Sequence, residues 1–404
     1  MRETRELAQA IADLQPLPVE EIACFLAAGR VMAQDLRASA PWPSFSRSTR
    51  DGFALRAADT SSAHPSRPCE LVCCGENLLN ARTSGCLKPG ESWRVVTGSL
   101  LPDGADAVVM QEDVFFEEAW GRKIVRIAQP VARGSCILAQ GADIKKGELL
   151  LPRGTRLGPQ ALALLSEFSP VVSVHRRPSV GILAVGDEFL SQNRGGAEKP
   201  CPSNALLLET LVSAAGGVPL NLGLAPDNFA DLSARLEDIL GSGGCDVLVL
   251  FGGSSRGPRD CTGEAIAALP ACRLLACDQK VSSGRPLSLA RCGSTSLWGL
   301  PGHAASLALT AQIFLVAMLR RLEGLAVFDD RVSTACLACT LPARESRAHY
   351  AVALSTRAGL RVATPFEGGS GRISALRDMA GWVTVEASSE GLMAGTTVPV
   401  RLFL

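Results

Sequence analysis

An unbroken apolar run, Val247–Phe251 after Asp246, constrains the fold of this chain more than any other stretch. Five consecutive apolar residues that end at a glycine are typical of a strand buried on both faces, as in a parallel sheet. Gly252 and Gly253 follow at once, and glycines there let the backbone turn sharply and direct N–H groups at an anion. A second glycine-rich loop, 297–306, precedes a long apolar helix. The two loops predict a site for a phosphate-bearing ligand at the carboxyl edge of the sheet, although the glycines alone also suit ordinary turns.

The composition excludes several classes of protein. The chain has 404 residues, 47% of them hydrophobic, and a formal net charge of zero. A neutral chain lacks the clustered cations that bind nucleic acid, so we expect no nucleic-acid partner. The N-terminus is charged from Arg2 onward, which is unlike a signal peptide, and we expect a cytoplasmic protein. The apolar segment Ala304–Met318 is short and interrupted by polar residues, so it predicts a core helix and no membrane span.

The chain has fourteen cysteines at irregular spacings. Without a secretory signal we expect them to be reduced, buried thiols. Cys336 and Cys339 form a CxxC pair, but the second half of a zinc site is missing from the sequence. This pair predicts a plain β segment, and the same interpretation covers a looser cluster: Cys69, Cys73, Cys74 and Cys86.

The apolar periodicity divides the chain into regions. Residues 3–36 predict two helices, the second over Val19–Leu36, and Pro159–Phe168 predicts another. Strands and helices alternate after residue 178, which implies a mostly parallel sheet with helices on both faces. We therefore expect a multidomain α/β protein with four domains: a discontinuous helical and extended domain (1–45 plus 138–177), an inserted β domain (46–137), an α/β domain (178–327) and a small β domain (328–404).

Short motifs occur in a fixed order along nearly the whole chain. They are Arg94–Gly98, Pro102–Glu112, Gly141–Gly147, Gly186–Glu188, Ser203 with Asn204, Gly252–Gly253 with Asp260, and Gly299–Gly302 with Ser306. Each motif alone is weak. The ordered set resembles the molybdopterin molybdenumtransferase family, which includes the E domain of gephyrin.

The resemblance implies a fold and a reaction. The family has a helical and extended N-terminal region, an inserted β domain, a molybdopterin-binding α/β domain and a C-terminal β-barrel. Its members are homodimers that take adenylylated molybdopterin and molybdate, form the molybdenum cofactor and release AMP with Mg²⁺. The partners that it implies are molybdoenzymes or the adenylyltransferase of the pathway.

The resemblance also implies functional residues. The catalytic set is Asp51, Thr97, Asp143, Glu188, Asp227 and Asp260. Glu188 and Asp260 are the implied magnesium ligands, and carboxylates suit that ion. The implied cofactor-binding residues are Gly252, Gly253, Ser255, Gly257, Arg285, Pro301, Gly302, Ser306, Arg347 and Ser370. Arg347 and Ser370 resemble positions tied to molybdate, and an arginine fork with a hydroxyl suits a tetrahedral oxyanion.

Each of these aspartates also has a structural alternative. Asp51 suits a turn and Asp260 suits a helix cap, while Asp143 and Asp227 suit exposed surface. His303 is either a ligand contact or a solvent-facing residue at the start of a helix.

The chain departs from the family at several motifs. Residues 46–50 read Ser-Arg-Ser-Thr-Arg where the family has Asp-Asn-Ser-Ala-Met, and 254–257 read Ser-Ser-Arg-Gly in place of Val-Ser-Val-Gly. The lysine-rich stretch of the family is Ser-Ser-Gly-Arg-Pro at 282–286, and Asp278 replaces a further lysine. Two hypotheses follow: an active transferase, or a catalytically impaired paralogue that acts as a molybdopterin-binding or scaffold protein.

Overall fold

The structure, a computed structural model, divides into two compact units. One unit combines Met1–Gln34 with Arg153–Leu404, and the other is Asp35–Pro152. The structure describes residues 3–77, 79, 85–119, 121–186, 203–252, 261–270, 272–276, 287–325, 331–343, 347–366, 372–387 and 389–404.

The N-terminal segment forms one helix and one strand: α1 (Glu3–Ala12) and β1 (Val19–Ala23). The helix was predicted, and Leu7 and Ile11 are buried on its inner face. The predicted second helix over Val19–Leu36 is wrong. Its first residues pair antiparallel with Val171–His175, and this tertiary pairing overrides the local helical pattern.

The unit Asp35–Pro152 is built from short strands, as its sequence pattern predicts. Its strands are β2 (Leu36–Arg37), β3 (Arg47–Ser48), β4 (Gly52–Leu55), β5 (Cys69–Asn77), β6 (Glu91–Val95), β7 (Ala107–Met110), β8 (Val114–Ala119), β9 (Arg122–Ile127), β10 (Ile137–Leu138) and β11 (Leu149–Leu151). Six of them form a sheet in the order β7-β4-β6-β5-β9-β8, and β10 pairs with β3 and β11 with β2. Phe53, Leu71 and Val125 lie in its core.

Strands and helices alternate in the next region. Its elements are α2 (Pro159–Phe168), β12 (Val171–His175), β13 (Ser179–Val185), α3 (Ser203–Ala214), β14 (Val218–Ala225), α4 (Phe229–Gly241), β15 (Val247–Gly252), α5 (Cys261–Ala268), β16 (Cys272–Ala276), β17 (Ser288–Cys292), β18 (Thr295–Leu300) and α6 (Ala304–Leu322). The sheet order is β14-β13-β15-β18-β17-β16. The first four strands are parallel and β17 is antiparallel to its neighbours, which confirms a parallel-rich sheet.

The buried run at β15 explains why its sequence is apolar without interruption. Val247, Val249 and Phe251 face one core that also includes residues of α1, α3 and α6. Leu248 and Leu250 face the other core, which α4 and α5 cover. All five side chains are fully buried, and each contributes about 1.5–3 kcal/mol relative to exposure.

The long helix α6 is the core helix that its sequence predicts. Its length and composition would allow it to cross a membrane, but 72% of its apolar 18-residue stretch is buried inside the protein. Its middle, Ala311–Leu315, is a π turn. It ends before Gly324, whose φ of 77° suits the C-terminal cap that the sequence predicts.

One predicted loop is shorter than expected. Residues 297–300 belong to β18, where Trp298 is fully buried, so the second glycine-rich loop begins only at Pro301. The sequence of β18 does not show the alternation of apolar and polar residues that marks a strand, because both faces of β18 are covered.

The last region contains a closed barrel, which confirms the predicted C-terminal β-barrel. Its elements are β19 (Val332–Leu337), β20 (Leu341–Pro342), β21 (Ala348–Arg357), β22 (Leu360–Pro365), α7 (Ala375–Asp378), β23 (Gly381–Val385), β24 (Gly391–Leu392) and β25 (Thr397–Leu402). The barrel order is β19-β22-β21-β23-β25. Cys336 lies in β19 and its thiol donates to the carbonyl of Gly395 at 3.3 Å, whereas Cys339 lies in a bend two residues beyond the strand.

The cysteine prediction is wrong in two respects. Cys272 and Cys292 form a disulfide between β16 and β17, where they face each other in register. Cys74 and Cys86 are exposed thiols. Both errors arise because irregular spacing says nothing about which cysteines a sheet places side by side.

Candidate active site

Four parallel strands end at one edge of the α/β sheet. Gly186 follows β13, Asp227 lies two residues beyond β14, Gly252 ends β15, and Pro301 follows β18. Because β15 and β18 are neighbours, the two glycine-rich loops begin side by side. This is the edge at which open α/β sheets bind ligands, as the sequence predicts.

The two loops touch through their glycine backbones. A Cβ atom on Gly302 would lie 3.1 Å from the Cα of Gly252, so a side chain at this position would crowd the backbone of Gly252. Gly252 has a φ of 88°, a conformation that also favours glycine. The contact brings the backbone of both loops to one place.

Asn204 holds the second loop in position. It is 8% exposed, and its side-chain Nδ2 donates to the carbonyl oxygen of Gly302 at 2.8 Å. Ser203 and Asn204 both lie inside the first turn of α3. The amide of Asn204 is therefore used to hold a loop instead of capping its own helix.

Helix α5 connects the first loop to Asp227. Thr262 donates its hydroxyl to the carbonyl oxygen of Gly252 at 3.2 Å. The thiol of Cys261 donates to Oδ1 of Asp227 at 2.9 Å. Asp227 is half-buried, which disagrees with the exposed-surface alternative, and lies beside the start of α5.

The first turn of α6 supplies the positive end of a long helix. His303 occupies the N-cap without a side-chain capping bond, and the first turn contains no acidic residue. Pro301 and Ser306 are buried there, and the carbonyl of Ser306 accepts from the Thr310 hydroxyl at 2.6 Å. N–H groups and the helix dipole at such a terminus favour an anion. His303 begins the helix, as one sequence alternative holds, but it is half-buried and does not simply face solvent.

The unit Asp35–Pro152 contains a polar group of its own. Oδ1 of Asp51 accepts from the backbone N–H of Thr97 at 2.7 Å and from its hydroxyl at 2.8 Å. The Thr97 N–H, followed by the hydroxyl, lowers the pKa of Asp51, so this exposed carboxylate is ionised at neutral pH. Asp143 is exposed, and its backbone N–H donates to the carbonyl of Trp42 at 3.2 Å.

Arg347 lies away from the glycine loops. Its Nε and Nη2 atoms contact Oε2 of Glu386 at 2.9 and 2.8 Å. It lines a pocket with the carboxyl-terminal half of α6, whereas the loops meet the first turn of that helix. Within this chain the structure therefore does not bring Arg347 together with Gly252 and Gly302.

The structure gathers only part of the predicted site. Asp227, Gly252, Pro301, Gly302 and Ser306 share one edge of the sheet. The other predicted α/β and barrel positions lie outside the described residues: Glu188, Gly253, Ser255, Gly257, Asp260, Arg285 and Ser370. Within the described part of the chain no group of three or more His, Cys, Asp or Glu residues could hold a metal ion.

Two residues of this edge carried no clear signal in the sequence. Thr262 binds a carbonyl ten residues earlier, and Cys261 binds an aspartate 34 residues earlier. Neither contact has a periodic pattern. Asn204 did stand in a motif, but its motif did not reveal which loop it holds.

Comparison with known protein families covers nearly the whole chain. Residues 2–169 match the MoeA N-terminal region (domain I and II), residues 181–321 match a probable molybdopterin binding domain, and residues 334–403 match the MoeA C-terminal region (domain IV). The three matches follow one another in the order of the MoeA architecture.

Individual relatives agree with the family match. A molybdopterin molybdenumtransferase of Bacillus subtilis is 29% identical over 92% of this chain and 87% of its own length, and one of Nostoc sp. is 28% identical over 81% and 76%. The crystal structure of a molybdopterin biosynthesis MoeA protein from Pyrococcus horikoshii has a TM-score of 0.85 and 28% identity, and covers 100% of this chain and 99% of that one. The chain therefore belongs to the MoeA family, whose curated members carry the name molybdopterin molybdenumtransferase.

Proposed function

We propose that this chain is a molybdopterin molybdenumtransferase of molybdenum cofactor biosynthesis. It takes adenylylated molybdopterin and molybdate, forms the molybdenum cofactor and releases AMP. The observation that carries the proposal is the backbone contact between Gly252 and Gly302 beside the first turn of α6. Two loops that meet at the positive end of a buried helix suit a ligand with a pyrophosphate.

The residues divide into two sets by chemistry. Gly252, Gly302 and Ser306 stand where phosphate oxygens would meet N–H groups, and Asp227 places a carboxylate beside them. Asp51, Thr97 and Asp143 form the second set, and the ionised Asp51 carboxylate can orient a donor or accept a proton. For the reaction, a water oxygen attacks one phosphorus of the pyrophosphate, the P–O–P bond breaks and AMP leaves. The two dithiolene sulfurs replace two oxygens of molybdate, which leave as water with the thiol protons and protons from solvent.

We also propose that Mg²⁺ assists, with Glu188 and Asp260 as the ligands that the family resemblance implies. The position of Asp227 fits, because Mg²⁺ in such sites takes one or two carboxylates, water and substrate phosphates. The bound ion would offset negative charge on the phosphates. Arg347 and Ser370 remain the proposed molybdate positions.

The setting of the reaction is part of the same proposal. The protein acts in the cytoplasm as a homodimer and passes its product to molybdoenzymes. Light scattering of the purified protein should give about twice the mass of one chain, and a monomer mass would contradict the dimer.

The proposed activity is tested with purified protein, adenylylated molybdopterin, Mg²⁺ and molybdate. AMP should appear, and its release should fall when Glu188 is replaced by Gln. Binding of the pterin without AMP would instead favour the impaired paralogue, and an unchanged rate in Glu188→Gln would remove Glu188 from the site.

A further inference from the structure

A second pocket lies within the larger unit, at the other end of α6 from the glycine loops. Its volume is about 430 Å³, and it is lined by α1, the carboxyl-terminal half of α6 and the barrel. Pockets of roughly 300–1,000 Å³ are the usual size for small-molecule ligands. Among the described residues that are proposed for the transferase site, Arg347 alone lines this pocket.

Five arginines line this pocket. Arg320 and Arg321 come from the last turn of α6, and Arg331, Arg347 and Arg401 come from the barrel region. Among the lining residues that the structure describes there is no aspartate or glutamate. A cleft lined by charges of one sign concentrates the electrostatic potential and attracts the opposite charge. Guanidinium groups bind carboxylate and phosphate through paired hydrogen bonds.

The floor of the pocket is apolar and well packed. Phe314, Val316 and Trp382 are at most 6% exposed, and Ile11 is also buried. On α1 the small side chains of Ala8 and Ala12 line the pocket. The lining side chains that an apolar body can cover are the partly exposed Ile313, Ala317 and Phe403, and covering them releases about 25 cal/mol for each Å² removed from water.

The pKa of His349, which lines the same pocket, is lowered by its surroundings. It is 5% exposed, and its Nδ1 lies 3.0 Å from the hydroxyl of Thr384. Burial, followed by the charges of Arg347 and Arg401, lowers the pKa of His349 to about 4. The imidazole is therefore neutral at physiological pH, and the cations among the described lining residues are all arginines.

The π turn of α6 lines the same pocket. Gln312 and Phe314, both within the π turn Ala311–Leu315, are lining residues. A π turn has poorer hydrogen-bond geometry than the α-helix around it and occurs often at functional sites. Its position here is independent of the arginine content.

We propose that this pocket binds a small organic anion, with an aromatic or branched aliphatic body and a carboxylate or phosphate group. The body covers Ile313 and Phe403, and the anionic group meets Arg401, Arg331 and Arg320. An inorganic oxyanion would satisfy the arginines but would leave the partly exposed apolar side chains in water. Arg347 is paired with Glu386 at an exposed position and adds its charge to the rim.

Calorimetric titration with phenyl phosphate, benzoate and inorganic phosphate tests this proposal. Phenyl phosphate or benzoate should bind at least about tenfold more tightly than inorganic phosphate, because only they have an apolar body. Arg401→Glu should weaken that binding about tenfold or more. Arg357→Glu, the same charge change at an exposed position of β21 that does not line the pocket, should leave it unchanged.

Two results would overturn the proposal. One is equal or tighter binding of inorganic phosphate, which would indicate a plain oxyanion site. The other is binding of phenyl phosphate and benzoate that survives both Arg401→Glu and Ala12→Leu, since the leucine fills the space that the apolar body needs. Neither result depends on AMP release, so the transferase activity is tested separately.

Discussion

The two ends of strand β15 are built in opposite ways. At the amino end Asp246 accepts two hydrogen bonds from Arg176, at 2.6 and 2.9 Å, and two from the N–H and hydroxyl of Ser179, both at 2.8 Å. At the carboxyl end Gly252 has no side chain and packs against Gly302. One end is held by charged side chains, and the other is shaped by bare backbone.

This difference separates stability from ligand binding along one strand. Burial alone would raise the pKa of Asp246, but the hydrogen bonds from Arg176 and Ser179 lower it below its usual range. The side chains at this end are hydrogen-bonded to one another. At the carboxyl end the backbone of Gly252 and Gly302 lies beside the first turn of α6, where N–H groups and the helix dipole favour an anion.

Substitutions at the amino end of β15 should lower the stability of the protein the most. Asp246→Ala removes four hydrogen bonds and leaves a half-exposed guanidinium beside Ser179, so we expect the free energy of unfolding to fall by about 3 kcal/mol. Denaturant unfolding measures this. Asp238→Ala removes an exposed pair with Arg235 and should cost less than about 0.5 kcal/mol. Equal losses in the two variants would contradict an anchor at the amino end.

The same variant gives a pH test of the anchor. Because the folded state lowers the pKa of Asp246, its contribution is full above the unfolded pKa of about 3.9 and disappears as the pH falls through the folded value. The stability difference between the wild type and Asp246→Ala should therefore stay constant above about pH 5 and shrink below it. A difference that grows as the pH falls would have the wrong sign.

Substitutions at the carboxyl end of β15 should lower the rate of AMP release the most. In Gly302→Val the new side chain would press on Gly252 and separate the loops, and we expect AMP release to fall about 100-fold because a shift of roughly 1 Å at a reacting site has this effect. Gly241→Val is the control, since a Cβ there meets nothing within 4 Å. If the two variants have similar turnover, the loop contact is not part of the site.

Asn204→Ala should have a smaller effect on the same loop. It frees the carbonyl of Gly302 from its buried donor, and the loss of one such bond, worth about 1 kcal/mol, predicts a roughly fivefold lower rate of AMP release. Asn221→Ala removes an exposed amide that binds Glu209 and should leave the rate unchanged. A loss in both variants would point to general destabilisation.

Thr262→Val should have the smallest effect. The two side chains have nearly the same shape, so only the bond to the carbonyl of Gly252 is lost. We expect about a threefold lower rate and an apparent melting temperature within about 2 °C of the wild type. A large drop in melting temperature without any rate change would assign Thr262 to stability alone.

The sequence predicted the carboxyl end better than the amino end. Glycines after an apolar run are a local signal, so the sequence alone places Gly252 and Gly302 at one edge of the sheet. The partners of Asp246 lie 67 and 70 residues earlier, and no periodicity connects them. The same reason applies to Asn204 and Thr262, whose roles depend on which loop the fold places beside them.

The secondary structure could be predicted from the sequence where the apolar periodicity was strong. α2 lies where the pattern predicts it, while Val19–Leu36 does not form its predicted helix. There a pairing with residues far along the chain decided the conformation. The family motifs, more than periodicity, carried the prediction of the catalytic set, and its residues outside the described ranges remain predictions.

The disulfide between Cys272 and Cys292 has a consequence for the outer border of the sheet. β16 is an edge strand, and a slip of one residue would turn each of its side chains to the opposite face. A covalent bond between two directly opposed residues forbids that slip. The bulge between Leu274 and Ala276 is therefore confined to one place, and the register between β16 and β17 is fixed.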